Sequence, residues 1–128
     1  MKKLAFMTVL VTSSLFAQTA TEIMNDNGCM ACHAIASKKS APAFAGIAKR
    51  NMRFEGTGAK ATIMNSIKNG SSGKYPHFSG TKMPAFSHLS DAELTTVADY
   101  ILAQSSKANC NSGGGRGNGG SMGMGRNR

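Results

Sequence analysis

The chain is 128 residues long, with fifteen Lys and Arg against six Asp and Glu, for a formal net charge of +9. That length allows one domain, and the basic balance favours acidic faces or anionic surfaces as partners. Nucleic acid is excluded by the absence of basic stretches interleaved with aromatics, and the small core of a chain with only six Phe, two Tyr and no Trp needs a staple or a large apolar group to complete it.

In chain order, Lys2 and Lys3 precede a short apolar run from Leu4 to Phe16, and Ala17 follows as a small residue. This is the pattern of a cleaved export signal, residues 1–17 and to residue 20 at most. The run is too short for a membrane-spanning helix, which needs about 20 apolar residues, and no later stretch is long enough. The mature protein is therefore expected to be soluble and periplasmic, with residues 18–107 as its folded domain.

Thr21 to about Ala34 reads as a helix that carries Ile23 and Met24 inward and runs into "CMACH". "SKKSAPAF" is a loop, and Phe44 to about Arg53 is a short helix with Ile47 inward. After the break at "EGTG", Ala59 to Asn69 places Ile63, Met64 and Ile67 at helical spacing, and Gly70 sits where a helix commonly stops. Ser71 to Ser87, "SSGKYPHFSGTKMPAFS", fits no regular element, and long loops in compact domains are usually functional. Ser90 and Glu93 form a capping-box signature. Behind it Leu94, Val97, Ala98, Ile101 and Leu102 make one apolar stripe, and that helix should end between Gln104 and Lys107. Residues 108–128 include eight glycines among the last eighteen, with arginines and no acid, a composition that predicts disorder. No alternating strand pattern appears, so the fold class is all-α with three to four short helices.

The motif "GCMACHA" has three chemical readings. A closed zinc site needs four ligands, but the remaining cysteine is Cys110, and His77 and His88 are not spaced as a second pair. A redox dithiol would follow a strand in a βαβ pattern, which is missing. Covalent haem attachment fits: Cys29 and Cys32 lie one helical turn apart to take the two vinyl groups, and His33 follows as an iron ligand. The thioether of a methionine then suits the sixth position of an electron carrier. Met24 and Met64 fall on apolar helix faces, Met30 lies between the attachment cysteines, Met52 follows the proximal loop too closely, and Met122 and Met124 are in the tail. Met83 sits in the long loop, stiffened by Pro84, and is the favoured ligand. His77, in the same loop, and His88 compete for that position, with ordinary surface histidine the simpler reading of both. A ligating imidazole commonly donates its other N–H to a carbonyl, and Pro42 is the candidate to supply one.

"GCMACHA", "APAF", "IKNGSSGKY" and "KMPAFSHLSDAELTTVADYILAQ" in this order resemble a class I c-type cytochrome of the small bacterial monohaem type, over roughly residues 21 to 105. The resemblance implies the small class I cytochrome c fold, with its terminal helices crossing near Tyr100 around one covalently bound haem c. It matches Cys29 and Cys32 to the thioether attachments, His33 and Met83 to the axial ligands, and Pro42 to the proline whose carbonyl orients the histidine. The chain departs from close relatives at Tyr75, where they often have Trp near a haem propionate, and at Ser66, where they have a basic residue.

The expected function is a periplasmic one-electron carrier shuttling between respiratory partners. Lys38, Lys39, Lys74 and Lys82 would rim the exposed haem edge and steer it to acidic faces of an oxidase, reductase or peroxidase. The competing reading is the haem subunit of an enzyme complex, of peroxidase or sulfur-oxidising type. Cys110, the odd cysteine of an exported chain, either pairs between chains into a disulfide dimer or stays a free thiol.

Overall fold

The computed structural model describes residues 17–108. The export-signal reading of residues 1–16, Cys110 and nearly all of the Gly/Arg tail lie outside the described residues. Helices dominate: α1 (Ala20–Asp26), α2 (Cys29–Cys32), α3 (Phe44–Glu55), α4 (Ala59–Asn69) and α5 (Asp91–Ala103). Short 3-10 turns fill Gly56–Gly58, Pro76–Phe78 and Gln104–Lys107. Among the described residues, no helix is long and apolar enough to cross a membrane.

Two capping boxes set the ends of the chain's framework. Ser90 Oγ accepts from the Glu93 N–H at 3.2 Å while the Glu93 carboxylate accepts from the Ser90 N–H at 2.8 Å. Thr19 and Glu22 make the same reciprocal pair at the start of α1. Each box satisfies two amide donors that helix geometry leaves without partners. The T-x-x-E signal at Thr19 is as clear as S-x-x-E, but a helix start placed at Thr21 conceals it.

The single helix expected over Thr21–Ala34 is two. Gly28 adopts φ +69°, a left-handed conformation that glycine enters without steric cost, and Asn27 Nδ2 caps the Ile23 carbonyl at 2.8 Å. The chain therefore turns before the cysteines, and α2 is one separate turn that ends at Cys32. The helix from Phe44 extends two residues past Arg53, while α4 and the start of α5 fall where spacing and capping placed them. Part of the expected loop is regular. Ser71–Ser72 (β1) pairs antiparallel with Lys82–Met83 (β2), Ser71 opposite Met83 and Ser72 opposite Lys82. Two-residue strands are too short to show alternation.

α5 packs against α1, α3 and α4. Its stripe of Leu94, Val97, Ala98 and Ile101 meets Ile23 and Met24 of α1, Phe44 and Ala48 of α3, and Ile63 and Ile67 of α4 in one buried cluster. Tyr100 packs half-buried at its edge, on the helix that contacts α1. Ala45, Ala48 and Ala98 are fully buried, so small side chains let these backbones approach closely. Lys60 to Asp99 at 2.8 Å and Lys68 to Asp91 at 3.3 Å tie α4 to α5 at the surface, where such pairs contribute little.

Candidate functional site

The core does not close on itself. Ile23, Met24, Phe44, Ile63, Ile67, Val97 and Ile101 also line a cavity of about 220 Å3, and Cys29, Cys32, His33, Pro42 and Met83 share that lining. Five residues singled out across 55 positions of sequence thus come together on one mostly apolar hollow.

The proximal side is built by short-range geometry. Cys29 opens α2 and Cys32 ends it, so their side chains are one turn apart. Burial raises the Cys29 thiol above its usual pKa, with Cys32 beside it adding a smaller push. The His33 N–H closes onto the Cys29 carbonyl at 3.0 Å, and the residue itself is extended, which throws the imidazole off the helical turn. His33 is only 7% exposed and stacks on Phe44, ring centroids 5.0 Å apart and 16° from parallel.

The loop that follows is pinned at both ends. The Ala41 N–H donates to the Cys32 carbonyl at 3.1 Å, and the Phe44 N–H donates to the Ala34 carbonyl at 2.9 Å. Pro42 is thereby held against the imidazole, and His33 Nδ1 lies 2.6 Å from the Pro42 carbonyl. A carbonyl only accepts, so Nδ1 carries the hydrogen. In the neutral ring that leaves the Nε2 lone pair without a partner among the described residues. Burial lowers the His33 pKa, and the Pro42 contact opposes this more weakly. The balance favours the neutral imidazole, the form that ligates metal.

Met83 reaches the same cavity from β2. Its backbone is fixed by pairing with Ser71, and the Phe86 N–H donates to the Ile67 carbonyl at 2.9 Å just beyond it. Met24 also lines the cavity but is 1% exposed within the α1 core; Met30, Met52 and Met64 do not line it. Neither His77 nor His88 does. His88 Nε2 lies 2.7 Å from Asn27 Oδ1, and His77 lines a separate shallow groove.

Four polar residues in the lining were not predicted to act together. Asn51 is buried, and its Nδ2 donates to the Ile47 carbonyl at 2.8 Å and to the Tyr75 hydroxyl at 3.4 Å. Lys74 Nζ donates to Ser66 Oγ at 2.9 Å. The one available sequence signal was Asn51 itself, a polar residue on the Phe44–Ala48 apolar face of α3. Of the four lysines expected at the rim, Lys74 and Lys82 line the cavity. Lys39 folds over α2 to donate to the Met30 carbonyl at 2.8 Å, and Lys38 lines the neighbouring groove.

The donor set fits a tethered haem and no closed zinc site. Two thiols one turn apart, a neutral buried imidazole with a free nitrogen and a thioether share an apolar hollow large enough to interrupt the core. Among the described residues, no three His, Cys, Asp or Glu side chains gather to hold a metal ion by themselves.

Comparison with known proteins agrees with that fit. A family model for Cytochrome c matches residues 17–105. Cytochrome c-551 of Pseudomonas aeruginosa is 38% identical over 110 residues, covering 81% of this chain and 99% of that protein. Cytochrome c-552 of Nitrosomonas europaea is 32% identical, covering 68% of this chain and 80% of that one. The crystal structure of wild-type Nitrosomonas europaea cytochrome c552 superposes with a TM-score of 0.56 at 31% identity, over 66% of this chain and 98% of that one. Class 1 cytochrome MtoD from Sideroxydans lithotrophicus, at 19% identity and a TM-score of 0.54, shares the fold.

Proposed function

Since the chain belongs to the cytochrome c family, as a class I monohaem type with covalently bound haem c, we propose that it is a periplasmic one-electron carrier in which His33 and Met83 would ligate the haem iron. Haem, when bound, would supply the one-electron chemistry. The chain's own residues supply the rest. Cys29 and Cys32 tether the group, and the Pro42 carbonyl holds Nδ1–H so that Nε2 keeps its lone pair for the iron. Met83 provides a soft thioether, which favours the reduced state and a raised potential. The apolar walls exclude water, which limits reorganisation around the metal. Lys74 and Lys82 at the cavity mouth attract acidic partners at a distance.

The observation that carries this reading is the 2.6 Å contact between His33 Nδ1 and the Pro42 carbonyl, in a ring that shares its cavity with Met83. The test is the visible spectrum of the purified protein in both oxidation states, followed by a redox titration. A thioether-to-iron charge-transfer band at the red end of the oxidised spectrum, with slow cyanide binding, is the expected result. Rapid cyanide or peroxide binding without that band would favour the haem subunit of an enzyme complex. Haem that extracts into acidified acetone would remove the covalent tether and the proposal with it.

A further inference from the structure

A second concavity lies beside the first. It is a shallow groove of about 420 Å3 that meets the cavity at Pro42, Tyr75 and Phe78. Its lining carries Lys38, Lys49, Arg50, Arg53 and His77, and no Asp or Glu. Gly46, Lys49, Arg50 and Arg53 recur at three and four residues, so they form the outer face of α3, while Phe44, Ala45, Ala48 and Asn51 are buried on the inner one. Arg50 and Arg53, three residues apart on that face, repel one another at a cost to helix stability. Solubility alone does not require them on one face.

Aromatic rings organise this face. The Arg50 guanidinium lies 4.9 Å from the centroid of Phe54 and 5.3 Å from that of Tyr75, and Arg53 lies 5.5 Å from Phe54. Phe54 is nevertheless 63% exposed. Neither guanidinium forms an ion pair with a carboxylate among the described residues. Contact with a ring through the cation takes up none of the guanidinium's hydrogen-bond acceptor partners, so its N–H fork is still there for a planar carboxylate.

We propose that this groove seats an acidic segment of the protein's redox partner, with Arg50 and Arg53 each taking a side-chain carboxylate and Phe54 covered by the docked chain. The proposal rests on the carrier reading for the partner's redox role, but the groove's chemistry is independent of it. Charge complementarity selects the occupant. The chain's own continuation leaves at Ala108, which lines the groove, yet it carries Arg116, Arg126 and Arg128 and no acidic side chain. A concave surface with forked donors suits an extended carboxylate-bearing segment better than a bilayer, which needs a protruding apolar face. Pro42 lines the groove and accepts the His33 hydrogen bond, so a seated segment touches the residue that orients the imidazole.

The test uses isotope-labelled, reduced holoprotein at low salt, titrated with a hexaglutamate peptide and separately with phosphatidylglycerol-containing vesicles. Amide shifts should concentrate at Lys49, Arg50, Arg53, Phe54 and His77. Arg53→Glu should weaken peptide binding about tenfold, with an unchanged visible spectrum and melting midpoint, and Arg53→Gln should weaken it less. Lys60→Ala, on α4 and paired with Asp99 outside both concavities, should leave it within about twofold. Shifts centred on Lys74 and Lys82, unaltered binding in both Arg53 variants, or capture by vesicles but not peptide would each overturn the proposal. So would self-association abolished by Arg53→Glu, which would make a second copy the occupant. Binding is read without electron flow. Peptide capture with a failed redox titration would therefore sink only the carrier reading, and a normal titration without capture only the groove.

Discussion

Gly70 is the position at which a single methyl group tests how Met83 is held. Its backbone sits at φ +76°, ψ 172°, a region that is nearly glycine-only because a Cβ collides with neighbouring backbone. A Cβ built there would lie 2.7 Å from the Met83 carbonyl oxygen, 3.2 Å from the Ala85 nitrogen and 3.2 Å from the Pro84 carbonyl carbon. All three are backbone atoms, so no side chain can swing aside. Backbone strain of roughly 1–3 kcal/mol and overpacking of about 1–3 kcal/mol together predict that Gly70→Ala loses roughly 2–5 kcal/mol of stability, a large share of an ordinary domain's margin. Relief comes from moving the Met83–Ala85 segment outward, which stretches the Ser71 to Met83 pairing and draws the thioether from its place. The assay is denaturant unfolding of the holoprotein alongside the red-end charge-transfer band. Both stability and band intensity should fall. Gly46→Ala is the control, because that helical glycine has nothing within 4 Å of its built Cβ, and it should stabilise by about 0.5–1 kcal/mol. Full band and stability in Gly70→Ala would refute the argument that close backbone approach at Gly70 positions Met83.

Met83→Ala should abolish the charge-transfer band and lower the midpoint potential in a spectroelectrochemical titration, whereas Met24→Ala should keep the band and lose stability as a core deletion. Leu94, 1% exposed in the α5 stripe, should cost about 2–5 kcal/mol as Leu94→Ala in denaturant unfolding. Ser90→Ala removes the α5 cap and should cost about 1 kcal/mol in the same measurement. The Glu93 and Glu22 carboxylates have lowered pKa values, chiefly because each accepts the backbone N–H of its cap residue, Ser90 or Thr19. A depressed folded-state pKa contributes stability above the unfolded value and loses it as pH falls through the folded value. Stability should therefore decline as pH drops from 4.5 downward, and Glu93→Gln with Glu22→Gln should flatten that decline in a pH series of melting midpoints.

Much of the frame was legible from local patterns. The Ser90–Glu93 box and the stripe behind it marked α5 because capping and periodicity are short-range properties. Gly70 marked the end of α4 for the same reason. The break at Gly28 was harder, since one left-handed residue leaves apolar spacing almost intact. The Ser71–Met83 pairing was invisible because two-residue strands are specified by what they pair with.

The sequence by itself determined the chemistry: two cysteines one turn apart with a histidine next, a methionine followed by proline in a long loop, and a core too small to fill its own interior. Those are covalent and compositional facts, readable without coordinates. Only the tertiary structure decided which groups meet. It bonded His33 to the Pro42 carbonyl, gathered Asn51, Ser66, Lys74 and Tyr75 into the wall of one cavity, and turned Lys38 away from the lysines it was expected to join. It also laid Arg50 and Arg53 against Phe54 on the outer face of α3. Such contacts depend on how helices pack and where loops are pinned, and residues far apart in the chain carry no mark of that in their spacing.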